Sequence, residues 1–218
     1  MAPHQPRAVS FHRHLVMVVL LAVAAVATRR VASAASTDAS MTSSSSFLRE
    51  RCATTLDADL CYDSLLPHAA EFQTSHVRLA RVAADVAAAH LRALLANMKE
   101  ELLKTGTSAA GDALHDCAST VSAAANLVRQ SSAELAGLDS NNVSEEDDGS
   151  SRRRAIRWGL SNAKTWLSAA ITNEGTCADG IKEAGAAAGK VVDVDAGVAE
   201  SRQHTSIALA LVNGIPLQ

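Results

Sequence analysis

Aromatic side chains are nearly missing from this 218-residue chain: two Trp, one Tyr and three Phe, 3% of the whole. A core without large rings must be filled by Leu, Val and above all Ala, so its elements have to approach closely. No stretch alternates apolar and polar residues with period two over a useful length, which argues against a sheet. Motifs of catalysis are missing as well. There is no G-x-S-x-G, no H-E-x-x-H and no P-loop, and the eleven glycines are scattered rather than gathered into a phosphate-cradling loop. No C-x-x-C and no Cys/His cluster at zinc spacing occurs, and the acidic run Glu145–Asp148 lacks the alternating ligands and turn glycine of an EF-hand. No metal site, no cofactor and no enzymatic activity are expected.

What is present begins with a leader. Arg7 and Arg13 precede an unbroken apolar run, Leu15 to Ala27, and Ala32-Ser33-Ala34 offers a small-residue cleavage site. Residues 1–34 read as a secretory signal peptide. The run is too short to span a bilayer at about 20 residues, so no membrane attachment is expected once the leader is gone. The leader carries four of the 20 Lys+Arg and none of the 23 Asp+Glu, leaving 16 basic against 23 acidic residues, a net charge of −7. Such a chain repels nucleic acid and suits a basic partner.

Cys52, Cys61, Cys117 and Cys177 all follow the leader, and an even count in that context implies disulfides. Three pairings are open from the sequence. Residues 35–46 are rich in Ser, Thr and Ala and are expected to be disordered. The remainder, 47–218, reads as one domain. Phe47 to Leu66 holds the close cysteine pair, ends at Pro67 and suggests a small helical hairpin. Further on, the spacing turns to threes and fours: Leu91, Leu94, Met98 and Leu102; then Leu114, Cys117, Val121, Ala124, Val128, Ser131, Leu135 and Leu138; then Ile156, Leu160, Ala163, Leu167 and Ala170; and last Val194, Val198, Ser201, Thr205, Ala208 and Leu211. Each set is one apolar face of a helix. Gly106 offers a helix stop, with Thr107 or Ser108 as the next N-cap. Residues 139–151 read as a solvated linker containing a glycosylation sequon at Asn142, and Asn173-Glu174-Gly175 is expected to end or kink the third helix. The fold class is therefore all-α: an up-down four-helix bundle after a short N-terminal hairpin.

The isolated polar and aromatic residues carry no motif of their own. His68, His76, His90, His115 and His204 are expected at the surface, Trp158 and Trp166 in packing, and Arg152, Arg153, Arg154 and Arg157 paired with the acidic run upstream.

Several stretches together resemble a known family. Phe47-Leu48 precedes Cys52, eight residues separate it from Cys61, and Ser64-Leu65 follows. Ala113-Leu114-His115-Asp116-Cys117 matches A-L-x-D-C. Thr165-Trp166-Leu167-Ser168-Ala169-Ala170-Ile171-Thr172 is followed by Gly175-Thr176-Cys177-Ala178-Asp179, and the tail Ile207 to Asn213 fits too. This resembles the plant invertase/pectin methylesterase inhibitor family. The resemblance implies pairing of Cys52 with Cys61 and of Cys117 with Cys177. It implies secretion to the cell wall, or apoplast, and a protein partner there. The T-W-L-S-A-A wording looks like the pectin methylesterase branch, whose inhibitors cover the enzyme's substrate cleft with bundle helices. Thr176 and Asp179, matching the Thr and Asp of T-C-x-D, are then the candidate target-binding residues. Inhibition of acid invertase is the alternative, but the Pro-Lys-Phe tripeptide of that branch is absent, Pro67 and Pro216 being the prolines after the leader. A second alternative is a non-inhibitory domain like the pro-region of some pectin methylesterases. The relatives' fifth cysteine is absent, and Leu56-Asp57-Ala58-Asp59 stands where a Tyr-Pro is common.

Overall fold

The computed structural model describes residues 40–105, 108–140, 149–184 and 192–216. The leader, Gly106 and Thr107, Asn142 and the acidic run lie outside the described residues. Residues 43–216 belong to one compact unit. Among the described residues there is no strand.

A first helix, α1, runs over residues 40–52. Residues 40–46 are thus helical where disorder was expected. Ser44 and Leu48 are buried four residues apart, so the polar stretch has one face in the core. The Cys52–Cys61 disulfide closes the turn into α2 (Ala58–Leu65). Asp57 caps α2 by accepting from the Leu60 amide at 3.0 Å, and Leu56 stands at the tip, fully exposed. The four residues in place of Tyr-Pro therefore supply a tip and an N-cap. A 3₁₀ turn over Leu66–His68 places Pro67 at its start, where a missing N–H costs nothing. A short α3 (Ala69–Phe72) then ends at Gln73, whose φ of 52° turns the chain toward the bundle.

Four long helices follow: α4 (His76–Thr105), α5 (Ala109–Ser140), α6 (Gly149–Glu183) and α7 (Val192–Asn213). Ser75 caps α4 through the Arg78 amide, and Ser108 caps α5 through the Gly111 amide. Each long helix packs on its neighbours in the order α4, α5, α6, α7, and α7 closes on α4. The seams are filled as their spacing requires. From Leu114 to Leu135 every third-or-fourth residue of the α5 seam is buried, as is every seam residue from Val194 to Leu211 on α7. Gly159 allows a close approach of α5 and α6: a methyl group there would meet Glu134 Oε1 at 2.8 Å and Leu138 Cδ2 at 2.9 Å.

Specific ties join α5 to both its neighbours. The Cys117–Cys177 disulfide bridges 60 residues and fastens α5 to α6. In the chain-entropy account a loop of that length contributes about 4 kcal/mol. The Ser131 hydroxyl, buried between the same helices, lies 3.1 Å from the Ala163 carbonyl. Arg78 Nε donates to Asp139, 3.0 Å, and Ser132 donates to Asp85, 2.5 Å, from α4 to α5.

Two further element boundaries differ from those expected. The linker expected over 139–151 is shorter, because Asp139 and Ser140 complete α5 and Gly149 to Ser151 begin α6. The break expected at Asn173-Glu174-Gly175 does not occur. The buried face of α6 continues unbroken through Leu167, Ala170, Glu174, Cys177 and Ile181. Burial of that face outweighs glycine's poor helix propensity, roughly 1 kcal/mol against Ala.

Since Gly175 is helical and nothing lies within 4 Å of where its Cβ would stand, Gly175→Ala is expected to stabilise the protein by about 1 kcal/mol. Urea unfolding measures this. A loss of stability would mean that the helix does not pass through residue 175.

Candidate functional site

The turn of α6 around Cys177 carries the two residues singled out by sequence. Thr176 and Asp179 are both exposed, one on either side of the buried cysteine. Three residues apart on a helix, they share a face. Following that face toward the N-terminus gives Thr172, Ser168, Thr165 and Ser161, all exposed. Their spacing of three and four makes a continuous stripe of small polar residues, six long.

The threonine hydroxyls of this stripe are held down. Thr165 donates to the Ser161 carbonyl at 2.9 Å, Thr172 to Ser168 at 3.1 Å, and Thr176 to Thr172 at 3.0 Å. With their O–H groups turned back to the helix, the threonines present methyl groups outward. The face is smooth, lightly polar and low in side-chain entropy, so ordering it against a partner costs little. It ends in Asp179, and the disulfide sets Asp116, next to Cys117, at the same end of the bundle. That end is acidic.

Behind the stripe lies a buried carboxyl that sequence periodicity took for a helix break. Glu174 is 0% exposed. Thr205 of α7 donates to its Oε1 at 2.9 Å, while Oε2 has no protein partner. Burial pushes its pKa up to about 7 from the ordinary 4.5, opposed by the Thr205 bond and the nearby Arg202 charge. A protonated acid can donate where a carboxylate would stand uncompensated. The Thr205 bond favours the charged form and burial the neutral one, and burial is the larger effect.

Other sequence readings fall out unevenly. Trp158, expected in packing, is 70% exposed, because the methyl-free Gly159 rather than the indole faces α5. Trp166 is half-buried, and with Trp158 it lines an open hollow whose other walls include Glu134, Leu138 and Ala155. Arg152, Arg153, Arg154 and Arg157 are all exposed in the first turns of α6, and their expected acidic partners lie outside the described residues. His115 is exposed; His68, His76 and His90 are half-buried.

His204 is a correction: it is 3% exposed rather than on the surface. Because α7 packs on both α4 and α6, it buries a broad face that includes residue 204 beside the seam residues Ser201, Thr205 and Ala208. A narrow three-four stripe does not reveal that width. Its ring stacks on His90 of α4 with centroids 3.8 Å apart. Burial first, then the neighbouring His90, lower its pKa to about 4, so the imidazole is neutral. Among the described residues no helix is long and apolar enough to cross a membrane.

Comparison with known proteins gives a consistent set of relatives. The sequence profile of the family described as plant invertase/pectin methylesterase inhibitor matches residues 46–211. The chain is 31% identical to the 21 kDa protein of Daucus carota over 177 residues, 80% of this chain and 86% of that one. It is 31% identical to Pectinesterase inhibitor 9 of Arabidopsis thaliana over 174 residues, 78% and 80% of the two chains. Among solved structures, a mutant form of a pectin methylesterase inhibitor from Arabidopsis aligns with a TM-score of 0.57 at 18% identity, covering 77% of this chain and 95% of that one. That likeness concerns the fold.

Glu174 generates a pH dependence. Its folded pKa lies above its unfolded value, so the folded state holds the proton more tightly, and stability falls as pH rises from about 4.5 through about 7. The difference corresponds to about 3 kcal/mol. Glu174→Gln keeps an acceptor for Thr205 and cannot ionise. In urea unfolding the variant is expected to gain on the wild type by about 2.5 kcal/mol between pH 5 and pH 8. Parallel pH profiles for the two proteins would show that Glu174 does not titrate in this range.

Proposed function

The chain belongs to the plant invertase/pectin methylesterase inhibitor family, and from that membership we propose that it inhibits pectin methylesterase of the plant cell wall, by reversible one-to-one binding over the substrate cleft. It acts by occlusion and catalyses nothing. The observation that carries the reading is the exposed stripe on α6 from Ser161 to Asp179. It is long, smooth and rigid, as a surface laid along an extended polysaccharide groove must be. Thr176 and Asp179 are assigned to the contact, at the stripe's acidic end. The acidic balance left after the leader favours a basic target and fast encounter. Similarity to Pectinesterase inhibitor 9 and the missing Pro-Lys-Phe support pectin methylesterase over acid invertase as the target.

The rest of the assignment follows from the sequence. Residues 1–34 act as a signal peptide, the protein is exported to the apoplast, and the two disulfides suit that oxidising compartment. Asn142 is the candidate glycosylation site.

Titration of the purified protein against a plant pectin methylesterase and an acid invertase tests the reading. Inhibition of the methylesterase at one-to-one stoichiometry is expected, weakening as salt is raised. Thr176→Arg and Asp179→Lys are each expected to raise the inhibition constant more than tenfold, about 1.4 kcal/mol. Arg92→Asp, exposed on α4 across the bundle from α6, should leave it unchanged. Inhibition of the invertase alone would overturn the choice of target. Equal inhibition by all variants would remove the α6 stripe from the interface.

A further inference from the structure

We propose that His90, Glu200 and His204 form a binding site for a divalent transition-metal cation of the zinc type, which ties α4 to α7. One potential ligand atom from each of the three side chains lies within 4.8 Å of the other two. Glu200 and His204 are four residues apart on α7 and so rise from one face. His90 reaches across from α4: its Nδ1 is 3.5 Å from Glu200 Oε1, and its ring stacks on that of His204.

The donor set selects the ion. Two imidazole nitrogens and one carboxylate oxygen suit zinc and its neighbours in the first transition row, and are a poor set for calcium or magnesium, which take oxygen. Three protein ligands leave a fourth tetrahedral position for water. Metal–nitrogen bonds of 2.0–2.1 Å place tetrahedral donors roughly 3.4 Å apart. The present spacing of 4.8 Å or less therefore needs the donors to close by no more than about 1.4 Å, with the stacked rings splaying so that both lone pairs meet at one point.

Burial is graded in a useful way. His204 forms the floor, His90 is half-buried and Glu200 is exposed, so an ion can enter from solvent and the outer two side chains can rotate to meet it. The neutral His204 ring keeps a lone pair to donate, and the negative charge of Asp57 reaches this spot. All four cysteines are in disulfides, so no thiolate competes. The position also makes structural sense. The pair α5–α6 has its disulfide, α4–α5 its Arg78–Asp139 and Ser132–Asp85 bonds, and α6–α7 the buried Glu174–Thr205 bond. The α4–α7 seam holds these two histidines and the glutamate, and a cation would join them.

Isothermal titration of the metal-free, full-length protein with zinc chloride tests the proposal, with cobalt(II) as an optical probe. One zinc per chain is expected, with micromolar or tighter affinity, a rise in the thermal midpoint, and cobalt d–d bands of four- or five-coordinate intensity. Glu200→Gln, at an exposed position, and His90→Asn should each weaken zinc at least tenfold and abolish the thermal shift. His115→Asn, on the exposed face of α5, should change neither. Absence of zinc binding, or equal affinity in wild type and in both triad variants, overturns the site and leaves a stacked imidazole pair beside a carboxylate.

Discussion

Small side chains on the inner faces set the terms for this protein. Ala80, Ala84, Ala87 and Ala88 on α4, Ala124 and Ala125 on α5, Ala163 and Ala170 on α6 and Ala208 on α7 are buried. A methyl group buries little apolar area, so each such position contributes less than a Leu or Phe would. It also lets backbones come close, and Gly159 shows how close. Helices that pack this tightly hold their faces in fixed register. The cost is a modest hydrophobic term, which covalent and polar ties offset. The Cys117–Cys177 disulfide acts chiefly on the unfolded chain, by removing the conformations of a long loop.

The polar ties are not equivalent. Exposed pairs such as Lys104–Glu101 contribute little in water. Buried ones matter more, because a buried group that loses its partner is left without water. Ser131 against the Ala163 carbonyl and Thr205 against Glu174 fix the rotation of α6 relative to both its neighbours. Glu174 is the expensive member. Its second oxygen lacks a protein partner, and its elevated pKa is the visible consequence. An acidic environment, where the group keeps its proton, is the one in which this packing costs least.

Fixing α6 in rotation fixes its outer face. The residues that would meet a target, from Ser161 to Asp179, alternate with those that meet α5 and α7, from Leu160 to Ile181. The inner set holds the helix still, and the outer set is then presented without further ordering. The hydroxyls bonded back to the helix extend the same economy to the side chains. Rigidity of this kind favours a protein whose role is to bind and block rather than to close around a substrate.

The helices, their order and most of their inward residues were legible in the sequence, because a three-four repeat states which side of a helix avoids water. The seams of α5 and α7 needed nothing more, and the motif around Cys177 pointed to the family. Tertiary structure alone decided the rest. It carried α6 through Gly175, since burial of a long face outweighs a single weak propensity. It put Trp158 outside, since Gly159 took the contact with α5. It brought His90 and His204 together from positions 114 residues apart, and it left Glu174 inside with one oxygen unmatched. Local pattern reports which face turns inward. Which side chains meet there, and at what electrostatic cost, depends on neighbours that the chain supplies from elsewhere.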